Sequence, residues 1–348
     1  MRNLLGLLLL LLTSCNHKEL CYNHPHTAPV RVDVDWNRFE PYERPTGMTL
    51  TLYPEAGQQV FTRQSNTTTH AVMNLPADRY QVLVYNQSPS EFGTFKFQHM
   101  DNPQQASVIA EEHSSRWYVG RGDNNRVATE PEWLGVGNYS DAEVTEKMVE
   151  EQALKLQNAA AQTRNSEPVI ATVTPENVIH TISVEVHIQG MHNLRSARAS
   201  LTGLAEGYYL TQGKRMDTEV THLIEEWSAT RDELDPTRGH IQSSFTCFGL
   251  PNNHAEQAEE NVLTLDLLLV DNRTIKTFVF HVGDKFTETL DESGVETEVH
   301  LQLYLKLLQD LNGDPIVLPD VKPEGGSGSG FSATVDDWGE EIEFGVQM

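Results

Sequence analysis

Alternation is the feature that most constrains this chain. "VRVDVDW" sets Val30, Val32, Val34 and Trp36 on one side of an extended segment and Arg31, Asp33 and Asp35 on the other. That two-residue period belongs to a half-buried strand. "MTLTLYP" alternates Leu50 and Leu52 with threonines and stops at Pro54. "AVMNLPADRYQVLVYNQ" reads as a strand, a Pro-Ala-Asp turn, and a second strand from Arg79 to Tyr85. "TFKFQH" and "ASVIAEE" follow. In the second half, Ile182, Val184, Val186 and Ile188 share one face, and so do Ile241, Phe245 and Cys247. "ARASLTGLA" and "VHLQLYLKL" add further strands, and "ENVLTLDLLLVDNRTIKTFVFHV" is a hairpin turning at Asp271-Asn272. Short strands at regular intervals with turn residues between them predict β-sandwiches rather than βαβ units.

One stretch breaks the rhythm. Residues 140–162 are rich in helix formers, with Ser140 or Asp141 as N-cap and Val144, Met148 and Leu154 to Leu156 as a narrow apolar side. With a length of 348 residues, the helix marks the expected boundary between two antiparallel β-sandwich domains, residues 29–165 and 166–348. A helical insertion inside a single sandwich competes with that division.

The N-terminus carries an address. Met1-Arg2-Asn3 precedes a run of leucines, interrupted only at Gly6, that is too short to span a bilayer, and small residues end it. Leu12-Thr13-Ser14-Cys15 resembles the bacterial lipobox, in which cleavage precedes a cysteine that receives a diacylglycerol. Residues 1–14 are therefore read as signal peptide, Cys15 as the lipidated residue and 15–28 as the tether. An ordinary cleavage site beside a plain cysteine is the competing reading.

Composition removes other classes. A formal charge of −25 leaves no basic footprint for nucleic acid or for an anionic membrane surface, so the lipid must do the anchoring. No Gly-x-Ser-x-Gly elbow, His-Glu-x-x-His, P-loop or strand-linked Gly-x-Gly-x-x-Gly is present. No carboxylate pair stands out from the acidic surface, so no catalytic residue, metal or cofactor is assigned. His17, His24 and His26 beside Cys21 lack the spacing of a metal site and suit a linker. Once Cys15 is lipidated, Cys21 and Cys247 form a candidate disulfide, against the alternative that Cys247 is an inert core thiol. Arg121-Gly122-Asp123 is the tripeptide read by integrins, but three residues match easily by chance. Asn66-Thr67-Thr68 is a sequon that a bacterial lipoprotein does not use in the eukaryotic way. Trp117-Tyr118, Trp133, Tyr139 and Tyr208-Tyr209 are candidate stacking rings for a glycan, with core packing as the plainer reading.

Several stretches in order, "ELCYNHPH", "VRVDVDW", "PTGMTLTLYP", "NLPADRYQVLVYN" and "GGSGSGFSATVDDWGEEIEF", resemble a family of Bacteroidales lipoproteins. That family is similar to the fimbrillins and to the lipoprotein anchors of their fimbriae. The resemblance spans Cys15 to Met348 and is thin over residues 100–165. It implies two transthyretin-like sandwiches that polymerise by strand exchange, with fimbrial subunits as partners. Stalk subunits of such fimbriae lose their N-terminal strand to proteolysis, whereas an anchor keeps its lipidated N-terminus. The resulting expectation is a non-enzymatic outer-membrane lipoprotein, anchor or minor subunit of a fimbria, with a surface glycan-binding lipoprotein as the alternative. The closing "EEIEFGV" alternates Ile342, Phe344 and Val346 with polar or small residues. It is read either as a strand donated to a neighbouring subunit or as the last strand of its own sandwich.

Overall fold

In the structure, a computed structural model, residues 26–39, 44–57, 59–118, 126–157, 166–251, 261–288, 302–310 and 312–323 are described. The first half of the chain supplies β1 (Ala28–Val34), β2 (Met48–Pro54), β3 (Phe61–Ser65), β4 (His70–Leu75), β5 (Asp78–Asn86), β6 (Phe95–Gln98), β7 (Ser107–Ala110), β8 (Val127–Ala128) and β9 (Gly135–Val144). Helix α1 (Glu146–Gln157) leads to β10 (Val169–Val173) and β11 (Glu176–Asn177). Then come β12 (His180–Gln189), β13 (Leu194–Ala205), β14 (Gly207–Tyr209), β15 (Lys214–Arg215), β16 (Glu219–Ile224) and β17 (Ser228–Arg231). The remaining strands are β18 (Arg238–Cys247), β19 (Val262–Leu269), β20 (Ile275–His281), β21 (Thr287–Glu288) and β22 (Gln302–Leu307). The molecule is an all-β sandwich protein with one α-helix among the described residues.

The first sandwich stacks sheet β10-β1-β4 on sheet β11-β9-β5-β2-β3. Val30, Val32 and Val34 of β1 point into the core they make with Leu50, Leu52, Val82 and Val84, as the alternation requires. β1 ends at Val34, but Trp36 stays buried because its indole N–H donates to the Thr68 carbonyl at 2.8 Å. The second sandwich stacks sheet β17-β18-β12-β22-β21 on sheet β20-β19-β13-β16-β8. Ile182, Val184, Val186 and Ile188 face Leu263, Leu265 and Leu267 across this core. The β19–β20 turn places Asn272 at φ 61°, while the Asp271 carboxylate accepts the Arg273 and Thr274 N–H groups.

A third core joins the two. Sheet β15-β14-β7-β6 takes two strands from each half of the chain and covers the outer side of sheet β11-β9-β5-β2-β3, the middle sheet of the three layers. Tyr53, Leu83 and Tyr85 from that sheet pack there with Phe95, Val108, Leu210 and Phe248. β8 also crosses over, pairing in parallel with β16.

The helical stretch differs from the sequence expectation. Ser140 and Asp141 lie inside β9, where pairing of Asp78 with Val144 and Arg79 with Glu143 holds the chain extended. Long-range pairing overrides the local helix propensity. The cap is Thr145, whose Oγ1 accepts the Met148 N–H at 3.3 Å. Val149 is buried, but Leu154 and Leu156 are 57% and 55% exposed, so the apolar side ends one turn in. Nor does the chain leave the first sandwich at the helix. β10 pairs in parallel with β1, and β11 pairs with β9, so residues 169–177 still belong to the first sandwich. Alongside the antiparallel pairs, β1–β10, β12–β22 and β16–β8 are parallel.

Candidate functional site

The strand registers give the first sandwich two distinct poles. Ala28, where β1 begins, pairs with Leu75 at the end of β4. The turn after Leu75 enters β5 at Asp78, which pairs with Val144 at the end of β9, just before α1. β10 starts at this pole too, since the Arg31 N–H donates to the Pro168 carbonyl at 2.9 Å. The chain arriving from Cys15 therefore enters at this pole. The candidate lipidation site Cys15 itself, and Cys21 with it, lie outside the described residues. Nine residues of β5 separate this pole from the other, roughly 30 Å away.

β1 is not an edge. It lies between β10 and β4, bonded on both sides, and its inward residues are 1–6% exposed. The first sandwich thus uses its own N-terminal strand to complete a sheet. Edges without a neighbouring strand among the described residues lie elsewhere. All four residues of β17 are exposed, and the strand pairs only with β18 among the described residues. β20 closes the other sheet of the second sandwich, with Ile275 49% exposed. Such edges can pair with a strand from another chain. The candidate donor residues Ile342, Phe344 and Val346 lie outside the described residues.

At the second pole, an open cleft of about 610 Å³ is lined by Gly47, Met48, residues 64–67, Gln87, Ser88, Ser90 and Glu91. It lies between the end of β3, the start of β2 and the loop leaving β5. Sequence reading singled out Asn66 and Thr67 here, as part of a sequon. Its other residues carry no signal beyond turn chemistry.

The remaining expectations fall as follows. Cys247 is fully buried, its Sγ accepts the Gly249 N–H at 3.2 Å, and burial pushes the thiol up to about 12. Arg121-Gly122-Asp123, His17 and His24 lie outside the described residues. No grouping of His, Cys, Asp and Glu among the described residues suits a metal, and no described helix is long and apolar enough to cross a membrane. The aromatic candidates are not gathered into a platform. Trp117 donates its indole N–H to Glu225, while the Arg198 guanidinium lies 4.6 Å from its ring centroid. Trp133 packs against the first and third cores, Tyr208 against the third, and Lys214 sits over Tyr209 at 5.7 Å. Tyr139 keeps 38% exposure on β9.

Comparison with known proteins places these features. A protein of Bacteroides ovatus named as a fimbrium anchoring subunit is 22% identical, covering 96% of this chain and 93% of its own length. A solved structure described as an adhesin from Bacteroides ovatus aligns with a TM-score of 0.55 at 15% identity, over 89% of this chain and 98% of that one. A second, an adhesin from Bacteroides thetaiotaomicron, gives 0.51 at 12% identity over 83% and 94%. At these identities the structures speak for the fold. A family described as a domain of unknown function, DUF5119, matches residues 14–225, more than half of the chain, and the protein belongs to that family.

Proposed function

We propose that this protein is a lipid-anchored structural subunit of a surface fimbria, holding the fibre at the outer membrane through Cys15. The reading rests on β1 as it stands in this chain, hydrogen-bonded on both sides. A subunit whose N-terminal strand is hydrogen-bonded between β10 and β4 has no empty groove there for an incoming strand. While that strand stays in place, a fibre can end on such a subunit but cannot grow through it. End-to-end similarity to the fimbrium anchoring subunit supports the same role. The role is structural rather than catalytic. Contact with the stalk is assigned to a strand shared between subunits, with Ile342, Phe344 and Val346 as donor side chains. The Cys21–Cys247 pairing remains part of this proposal.

Lipidation and fibre retention test it together. Cys15→Ala should abolish fatty-acid labelling and release fibres into the medium. Phe344→Pro removes an N–H from the centre of the donor segment and should leave the melting temperature nearly unchanged while fibres detach. Fibres that stay attached to Cys15→Ala cells would overturn the anchor reading. A large fall in melting temperature for Phe344→Pro would return that segment to its own sandwich.

A further inference from the structure

We infer that the cleft at the second pole is a binding site for a neutral polyhydroxyl ligand, a saccharide without carboxylate, sulfate or phosphate. The inference is independent of the anchor role.

Its lining is built from groups that both donate and accept. Gln64, Asn66 and Gln87 bring side-chain amides, and Ser65, Thr67, Ser88 and Ser90 bring hydroxyls. The three amides make no side-chain hydrogen bond with the rest of the described protein. Glu91 is the single charged lining residue. The Ser88 N–H donates to one of its oxygens at 2.6 Å, and this contact holds its carboxyl below the usual range. The carboxylate is thus fixed in place with acceptor capacity to spare. Planar amides and a carboxylate match pairs of neighbouring sugar hydroxyls, each of which is donor and acceptor at once. A negative group with no lysine or arginine in the lining disfavours anionic ligands. A peptide would find no apolar recess, since Met48 is itself buried beneath the surface.

A second observation is backbone strain. Gln87 sits at φ 58°, a left-handed conformation that a glutamine rarely adopts. Its N–H donates to the Gly47 carbonyl at 2.9 Å, and its carbonyl accepts the Thr49 hydroxyl at 2.7 Å. The surrounding strands hold the residue in that state, where glycine would fit without strain. Position completes the argument. The cleft lies at the pole of the first sandwich opposite the one where β1 begins, at the end where β2 starts and β5 finishes.

Full-length mature protein applied to an array of neutral and anionic oligosaccharides tests this, followed by titration calorimetry with the best neutral glycan. Binding should be confined to neutral glycans. Gln87→Gly should weaken it at least tenfold while keeping or raising the melting temperature, and Asn66→Ala should weaken it comparably. Absence of neutral-glycan binding, preference for sialylated or sulfated glycans, or affinity unchanged in both variants would overturn the inference. So would capture of an extended peptide at this cleft in place of any sugar.

Discussion

β2 and β12 are both strands of five-stranded sheets, yet they sit in different physical situations. β12 alternates buried and half-exposed along all ten residues, because one face of its sheet meets water. β2 is buried at six of its seven positions, threonines included, because at β2 its sheet is covered on both faces. Thr49 and Thr51, 0% and 1% exposed, sit where alternation would put solvent. The covering layer is the third core, to which both halves of the chain contribute. Alternation therefore reports a strand's burial faithfully only where one face stays wet. Where a third layer intrudes, the same pattern understates how much is buried. β5 and β16 share the situation of β2, with patterns that lose their alternation over most of their length.

The largest test of this contrast places a carboxylate on each kind of outward face. Leu83 points away from the first core, into the third. Leu83→Asp should cost more than about 4 kcal/mol, since a carboxylate there has neither water nor a partner. Gln242→Asp, on the exposed face of β18, should change stability by less than about 0.5 kcal/mol. Urea titration of both variants checks the pair. Equal, small losses would mean that the third core does not seal the middle sheet.

A smaller effect comes from a titratable group on a doubly covered strand. His222 of β16 is 1% exposed, its ring stacked on Phe245 at 5.6 Å, and its Nδ1 has no hydrogen-bond partner. Burial, reinforced by nearby His113, pushes the imidazole down to about 4. The unfolded chain therefore takes up this proton first, near pH 6.5. Stability is full above that pH and falls as the pH drops toward 4, by about 3 kcal/mol if His222 acted alone. Glu130, also in reach of His113 and facing Glu226, has its carboxyl raised by burial and acts in the opposite sense. His222→Leu should flatten the acid limb between pH 6.5 and 4 in thermal scans. An unchanged slope would assign the acid sensitivity to other groups.

Legibility in the sequence follows the same division. Val30 to Val34, Ile182 to Ile188 and the Asp271-Asn272 hairpin were readable because local pattern and tertiary environment agree there. Ser140 and Asp141 misled as helix caps because they lie within β9 at a register shift in its pairing with β5, a pairing across roughly sixty residues that no local window contains. The return of β10 to β1 was hidden for the same reason. As for candidate sites, the aromatic residues drew notice by type, yet most are engaged in packing or with charged neighbours. The polar cleft drew notice only through its sequon, because amides and hydroxyls in turns are what turns ordinarily contain. Gln87 becomes visible only through its backbone angle.

The smallest expected effect lies on β1, which has one buried and one part-exposed face. Val32 is 2% exposed, and Asp33 beside it points outward, where the Arg31 guanidinium contacts both its oxygens at 2.8 and 3.0 Å. Both side chains of this ion pair are about one-third exposed, 32% and 31%, so water screens it. Pairs of this kind contribute up to about 1 kcal/mol. Asp33→Asn keeps the shape and one acceptor, so its loss should stay below that figure and shrink further in high salt. Val32→Asp, one residue away, should instead cost several kcal/mol, roughly the burial of an unpaired charge. Chemical denaturation at low and high salt separates the two. If Asp33→Asn proves as damaging as Val32→Asp, then the outer face of β1 is covered after all. The contrast between singly and doubly covered strands would then have to be redrawn with β1 on the other side.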